Sequence, residues 1–116
     1  MEFTPLHARA GDTFRRTLTW TDKTSSEPIN LTGATIEWSL KRGELEHQFL
    51  TPPQVQILDE EGGVFQLELS YVQTRELFLE SRMWQYEVTV QQPNTPFDDR
   101  TTVVEGFLRI ARELVE

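Results

Sequence analysis

The stretch from Trp84 to Gln91 alternates without a break. Trp84, Tyr86, Val88 and Val90 take every second position, and Gln85, Glu87, Thr89 and Gln91 fill the places between. Successive side chains of an extended strand point to opposite faces, so this segment presents one aromatic and branched face and one wet face. A helix would scatter the same residues around its circumference. The stretch therefore predicts a strand buried on one side, as in an antiparallel sheet packed on a core.

The same period recurs along the chain. Ile36, Trp38 and Leu40 alternate with Glu37, Ser39 and Lys41, and Phe65, Leu67 and Leu69 alternate with Gln66, Glu68 and Ser70. Phe14, Leu18 and Trp20 share a face of the segment Thr13 to Trp20. Arg16 interrupts that inner row, which places it near a sheet end or with its stem along the rim of the core. Turn signals separate the runs: Gly11-Asp12, the polar hairpin loop from Thr21 to Pro28, Thr32-Gly33, Arg42-Gly43, Pro52-Pro53 and Glu60-Glu61-Gly62-Gly63. Gln92 to Arg100 reads as a second long loop, with Pro93, Asn94, Pro96, Asp98 and Asp99. Short strands at this spacing predict a sandwich or small barrel.

One segment breaks the pattern. Ser70 followed three residues later by Gln73 has the form of a capping box, which predicts a short helical crossover near Ser70 to Leu79 with Leu77 tucked beneath it. The last strand, Thr102 to Ile110, sets Val104, Leu108 and Ile110 on one face and Val103 and Phe107 on the other. Apolar residues on both faces point to an interface or to a strand roofed by a loop. Gly106, in the inner row, predicts a bulge or a close neighbour.

At 116 residues the chain is the size of one domain and can bury a core without disulfides or metals. The domain is read as residues 1–116, with 1–9 and 111–116 as extended arms, free or ordered by a partner. Asp and Glu number 19 against 11 Lys and Arg, for a formal charge of −8. That balance argues against nucleic acid and anionic membranes as partners, since both demand a basic face. There is no cysteine, so disulfides, a thiol nucleophile and cysteine-bound zinc are excluded. No apolar run reaches the ~18 residues of a membrane helix. Met1-Glu2-Phe3-Thr4-Pro5 lacks the basic-then-apolar form of a signal peptide. The expected setting is a cytoplasm, or export only within a larger particle.

A search for chemistry finds little. His7 and His47 stand in no metal-ligand spacing, and no Gly-x-Ser-x-Gly elbow is present to pair with either. Glu44 and Glu46 fall on a predicted turn and read as a solvated hairpin tip. Asp59-Glu60-Glu61 and Asp98-Asp99 lack the alternating spacing of a calcium loop. Asn30-Leu31-Thr32 matches a glycosylation sequon, without a secretion signal to support it. No catalytic residue, cofactor or metal site is expected, and the chain is not read as an enzyme. Trp20, Trp38 and Trp84 fall on inward rows and read as core. Phe97 is the exception, an aromatic at the tip of a polar loop, and a plausible contact anchor. The candidate protein-contact residues are Phe97, Asp98, Asp99, Val103 and Phe107, with the loops Thr21 to Glu27 and Gln92 to Arg100.

A family resemblance emerges from the order of several segments. Ala10-Gly11-Asp12-Thr13-Phe14-Arg15-Arg16-Thr17-Leu18-Thr19-Trp20 is followed by Pro28-Ile29-Asn30-Leu31-Thr32-Gly33-Ala34-Thr35-Ile36. Next come Gly63-Val64-Phe65-Gln66-Leu67-Glu68-Leu69-Ser70 with Gln73-Thr74, then Trp84-Gln85-Tyr86-Glu87-Val88 and Val104-Glu105-Gly106-Phe107-Leu108-Arg109-Ile110. This order, spanning about Ala10 to Ile110, resembles the small Ig-like structural domains of tailed bacteriophages. It is similar in particular to the N-terminal domain of phage baseplate upper proteins.

The resemblance implies an all-β, Ig-like antiparallel β-sandwich of about seven strands with one short helical crossover. It implies a virion structural protein of a phage or prophage, made in the host bacterial cytoplasm. Such a protein docks on other virion proteins as a homo-oligomer in a tail, baseplate or neck, and no catalytic residue is carried over. Baseplate upper proteins continue into long C-terminal regions, whereas this chain stops at Glu116. That departure keeps a capsid decoration protein, a host-surface glycan-binding module and an assembly chaperone open as alternatives.

Overall fold

A computed structural model describes residues 2–22, 24–47, 53–92 and 100–113. The strands are β1 (Glu2–Phe3), β2 (Leu6–Arg9), β3 (Phe14–Thr19), β4 (Thr35–Arg42), β5 (Leu45–Glu46), β6 (Gln54–Asp59), β7 (Val64–Leu69), β8 (Met83–Gln91) and β9 (Arg100–Ala111). One helix, α1 (Tyr71–Glu80), lies between β7 and β8. The strands form two sheets. The larger runs β1–β9–β8–β4–β5, with β2 following β1 along the same side of β9, and the smaller runs β3–β7–β6.

This is the strand order of an Ig-like sandwich. Lettered along the chain from β2, strands B, E and D make one sheet, and C, F and G make the other, with β5 beside C as an extra short strand. One pairing departs from the antiparallel expectation. Strands β1 and β2 run parallel to β9, with Phe3 opposite Glu105 and Leu6 opposite Leu108. Residues 2–9 therefore belong to the sheet and are not an extended arm.

The alternating rows fold as their period requires. Phe65, Leu67 and Leu69 of β7 and Trp84, Tyr86, Val88 and Val90 of β8 are all buried in one core between the sheets. Trp38 stacks on Phe14, with ring centroids 6.4 Å apart, and meets Tyr86 edge-on at the same distance. Trp20 is half-buried against the rim of this core.

The crossover is a ten-residue helix, offset by one residue from the expected Ser70 to Leu79. Ser70 Oγ accepts from Gln73 N–H at 3.2 Å, and Gln73 Oε1 accepts from Ser70 N–H at 2.8 Å, closing the box. At the far end, Ser81 N–H donates to the Leu77 carbonyl at 2.9 Å. The indole N–H of Trp84 reaches the carbonyls of Ser81 at 3.0 Å and Leu77 at 3.3 Å. Leu77 is completely buried beneath the helix. Thr74 is equally buried. Its hydroxyl accepts from Gly11 N–H at 3.1 Å and lies 3.0 Å from the carbonyls of Asp12 and Tyr71, either of which can take its proton. The helix is thus tied to the β2–β3 turn as well as to both sheets.

Gly106 marks a close neighbour and not a bulge. A Cβ there would collide with the Thr4 carbonyl oxygen, which also accepts a hydrogen bond from the Tyr86 hydroxyl. The register shift falls further along, between Val88 and Thr89 of β8, where Val88 faces Val104 and Thr89 faces Thr102. Val103 is the extra residue. It therefore turns inward beside Val104 and is 3% exposed, so the outer-face position read from strict alternation is corrected.

Candidate functional site

The residues singled out by sequence separate in the structure. Phe97, Asp98 and Asp99 lie outside the described residues. Val103 is buried at the bulge and offers no surface to a partner. Phe107 remains, and it has a companion that the sequence did not suggest. Parallel pairing of β1 with β9 places Phe3 opposite Glu105, next to Phe107 on the outer face of the larger sheet. The two rings meet edge to face, 6.0 Å between centroids and 73° between planes. Phe3 is 61% exposed and Phe107 44% exposed, so both rings face solvent.

The pair sits at the edge of a shallow groove of about 180 Å³, lined also by Lys41, Gln85, Glu87 and Glu105. Met83 is exposed on the same face, opposite Arg109. Lys41 and Glu87 approach to 3.9 Å across β4 and β8. At the other end of this face, Arg100 reaches Glu37 at 3.3 Å and Thr89 Oγ1 at 3.2 Å. The outer face thus carries an apolar end and an ion-paired end.

A second concave region, of about 490 Å³, follows the seam between β2 and β3. Pro5, Leu6, Ala8 and Phe14 give it an apolar floor, and Arg9, Arg15 and Arg16 stand along its sides. Arg16 occupies the inner row of β3 yet is exposed, because no strand covers that edge among the described residues. The rim position inferred for Arg16 is where it lies. The opposite seam, between β4 and β6, is lined by Trp38, His47, Pro53 and Val55 among others. The indole nitrogen of Trp38 is buried there without a hydrogen-bond partner among the described residues.

His47 is the residue that sequence reasoning undervalued. Its side chain is almost wholly buried, with Glu76 3.2 Å from Nε2 and Glu80 3.2 Å from Nδ1, one turn apart on α1. The ring also meets Trp84 edge-on at 5.3 Å. Carboxylates on opposite ring nitrogens clamp the end of the β4–β5 hairpin to the helix. The i, i+4 spacing of the two glutamates was the signal available in the sequence. Among the described residues, no group of three or more His, Asp or Glu side chains is placed to hold a metal ion.

The loop after β3 is held by its own polar groups. Asp22 Oδ1 accepts from Thr24 N–H at 2.8 Å and Ser25 N–H at 3.1 Å. The backbone N–H of Ser25, and then that of Thr24, pull the Asp22 carboxyl below the usual carboxylate range. Asn30 Oδ1 takes both the backbone N–H and the hydroxyl of Thr32, at 2.8 and 2.6 Å, so the sequon folds as a local turn. Glu113 is likewise lowered, first by the hydrogen bond from Arg75, whose guanidinium holds it at 2.7 Å. Compared with known protein families, characterised proteins and solved structures, the chain finds no match.

Proposed function

We propose that this chain is a non-enzymatic structural subunit of a tailed-phage or prophage particle, an adaptor in a tail, baseplate or neck that docks on other virion proteins. The observation that carries the docking role is the exposed pair Phe3 and Phe107. Aromatic side chains bring large rigid contact area at low entropic cost, and they are enriched at the buried centres of protein interfaces. Leaving two of them in water on one sheet face is the arrangement expected of a surface that a partner covers. The phage setting rests on the ordered segments from Ala10 to Ile110.

A glycan-binding reading has one observation in its favour. The groove beside the pair sets aromatic rings near Glu87 and Glu105, the combination that holds a sugar ring. The geometry favours protein all the same. The two rings stand at 73° to one another and form no flat platform, and a groove of about 180 Å³ is small for a sugar and its neighbours.

Quantitative mass spectrometry of purified particles tests the proposal. About three to eighteen copies per particle, following the symmetry of tail and neck rings, is the expected result. Hundreds of copies would instead indicate a capsid lattice position. Absence from the particle, with abundant protein in the infected cell, would overturn the structural reading. Binding on a glycan array that Phe107→Ser abolishes would promote the sugar reading.

A further inference from the structure

Charge is distributed very unevenly over this molecule. The chain carries −8 overall, yet Arg9, Arg15, Arg16, Arg82, Arg109 and Arg112, more than half of its 11 basic residues, line two grooves that share His7, Ala8 and Ala111. Asp12 is the one carboxylate among the residues lining either groove. Arg15 is paired with Glu68 at 3.3 Å, and Arg9 donates to the Arg112 carbonyl at 3.1 Å. Arg16, Arg109 and Arg112 make no ion pair among the described residues. Six guanidinium groups, of which only that of Arg15 is ion-paired among the described residues, with Arg16 free beside the apolar floor of the β2–β3 groove, fit an acidic, partly apolar partner.

Such a surface exists on the same chain. The β4–β5 hairpin turns through Gly43, at φ 67°, and Glu44, a two-residue loop with the glycine in the first central position. It projects Leu45, 70% exposed, between Glu44 and Glu46. Lys41 and Arg42 on the β4 arm are engaged within the chain, with Glu87 at 3.9 Å and the Glu80 carbonyl at 2.9 Å. Glu76 and Glu80, facing His47 at the base of the hairpin, add negative charge. Hairpin and basic seam lie at opposite margins of the larger sheet, four strand spacings or about 19 Å apart. A chain cannot seat its own hairpin in its own seam, so only another copy can join them.

We infer that copies of this chain associate head to tail, with the β4–β5 hairpin of one copy seated in the arginine-lined seam between β2 and β3 of the next. The inference deepens the structural-subunit reading and rests on it. The contact is heterologous, so repetition closes a ring or extends a filament. Salt dependence follows from the two length scales involved. Net repulsion acts between bodies no less than 24 Å across, and is screened at about 0.15 M salt, where the Debye length is about 8 Å. Contacting charges persist at that salt and fade towards about 1 M. Association is therefore strongest at intermediate ionic strength.

The test uses two substitutions at exposed positions, Arg16→Glu in the seam and Leu45→Asp in the hairpin, which cannot complement each other, followed by sedimentation velocity at about 0.15 M salt. Circular dichroism confirms that each variant keeps the fold. The parent chain should form species that grow with concentration, and each variant alone should remain monomeric. An equimolar mixture should give dimers and nothing larger, because one intact hairpin then meets one intact seam. Variants that assemble like the parent, a mixture that stays monomeric, or a parent that is monomeric at every concentration would each overturn the inference. Particles that contain the chain while the pure protein stays monomeric would overturn it and leave the structural reading standing. Head-to-tail assembly of a chain missing from particles would do the reverse.

Discussion

The α1 corner and the β2–β3 seam are neighbours, and they treat their polar groups in opposite ways. At the corner, every device turns inward: the capping box at Ser70, the Thr74 hydroxyl shared between Gly11 and Asp12, and the Trp84 indole on the last helical carbonyls. At the seam, guanidinium groups stand in solvent above an apolar floor. The chain turns its groups inward where it holds its shape, and stands groups such as Arg16 in solvent where it can meet something else. An Ig-like corner is often tied by a tyrosine. Here Tyr86 is engaged with Thr4, and Trp84 takes over the corner.

Three substitutions sharpen that contrast. Leu77→Ala should have the largest effect, about 2 to 5 kcal/mol of lost stability, because it opens a cavity beneath a helix that packs on both sheets. Chemical denaturation measures it, and a loss below about 1 kcal/mol would mean that the corner collapses readily and is no keystone. Thr74→Val keeps the shape and removes the hydroxyl, leaving the Gly11 N–H without its acceptor. A loss of about 1 to 3 kcal/mol is expected. A neutral result would show that water replaces the hydroxyl. At the seam, Arg16→Ala should change stability by no more than about 0.5 kcal/mol. A larger cost in thermal unfolding would place that arginine among the groups that hold the fold, and blur the contrast.

The parts of this architecture that depend on local pattern were readable in advance. The alternation from Trp84 to Gln91 became β8, Ser70 and Gln73 became a closed capping box, and Leu77 lies where an amphipathic crossover must bury it. Gly106 signalled a bulge or a close approach, and the Thr4 carbonyl against it makes it the second. What escaped depends on distant backbone. Parallel pairing of β1 and β2 with β9 uses main-chain groups and leaves little trace in side-chain type. The companionship of Phe3 with Phe107 escaped with it. Val103 was misplaced because one extra residue at a bulge reverses the parity on which alternation depends. His47 looked bland because its partners, Glu76 and Glu80, lie on a helix far along the chain.

The pairing of the first strands with the last also dictates when the molecule can be finished. A ribosome releases Glu2 long before Val104, yet the two face each other in the sheet. Strand β9 is the interior strand on which β1, β2 and β8 all depend. Until it emerges, the leading segment has no partner, and β8 lacks one of its two neighbours. Contacts of such long sequence separation form slowly, because the entropy of closing the loop is lost before the contact rewards it. The larger sheet therefore cannot be completed before β9 is available, however early the rest of the chain is made.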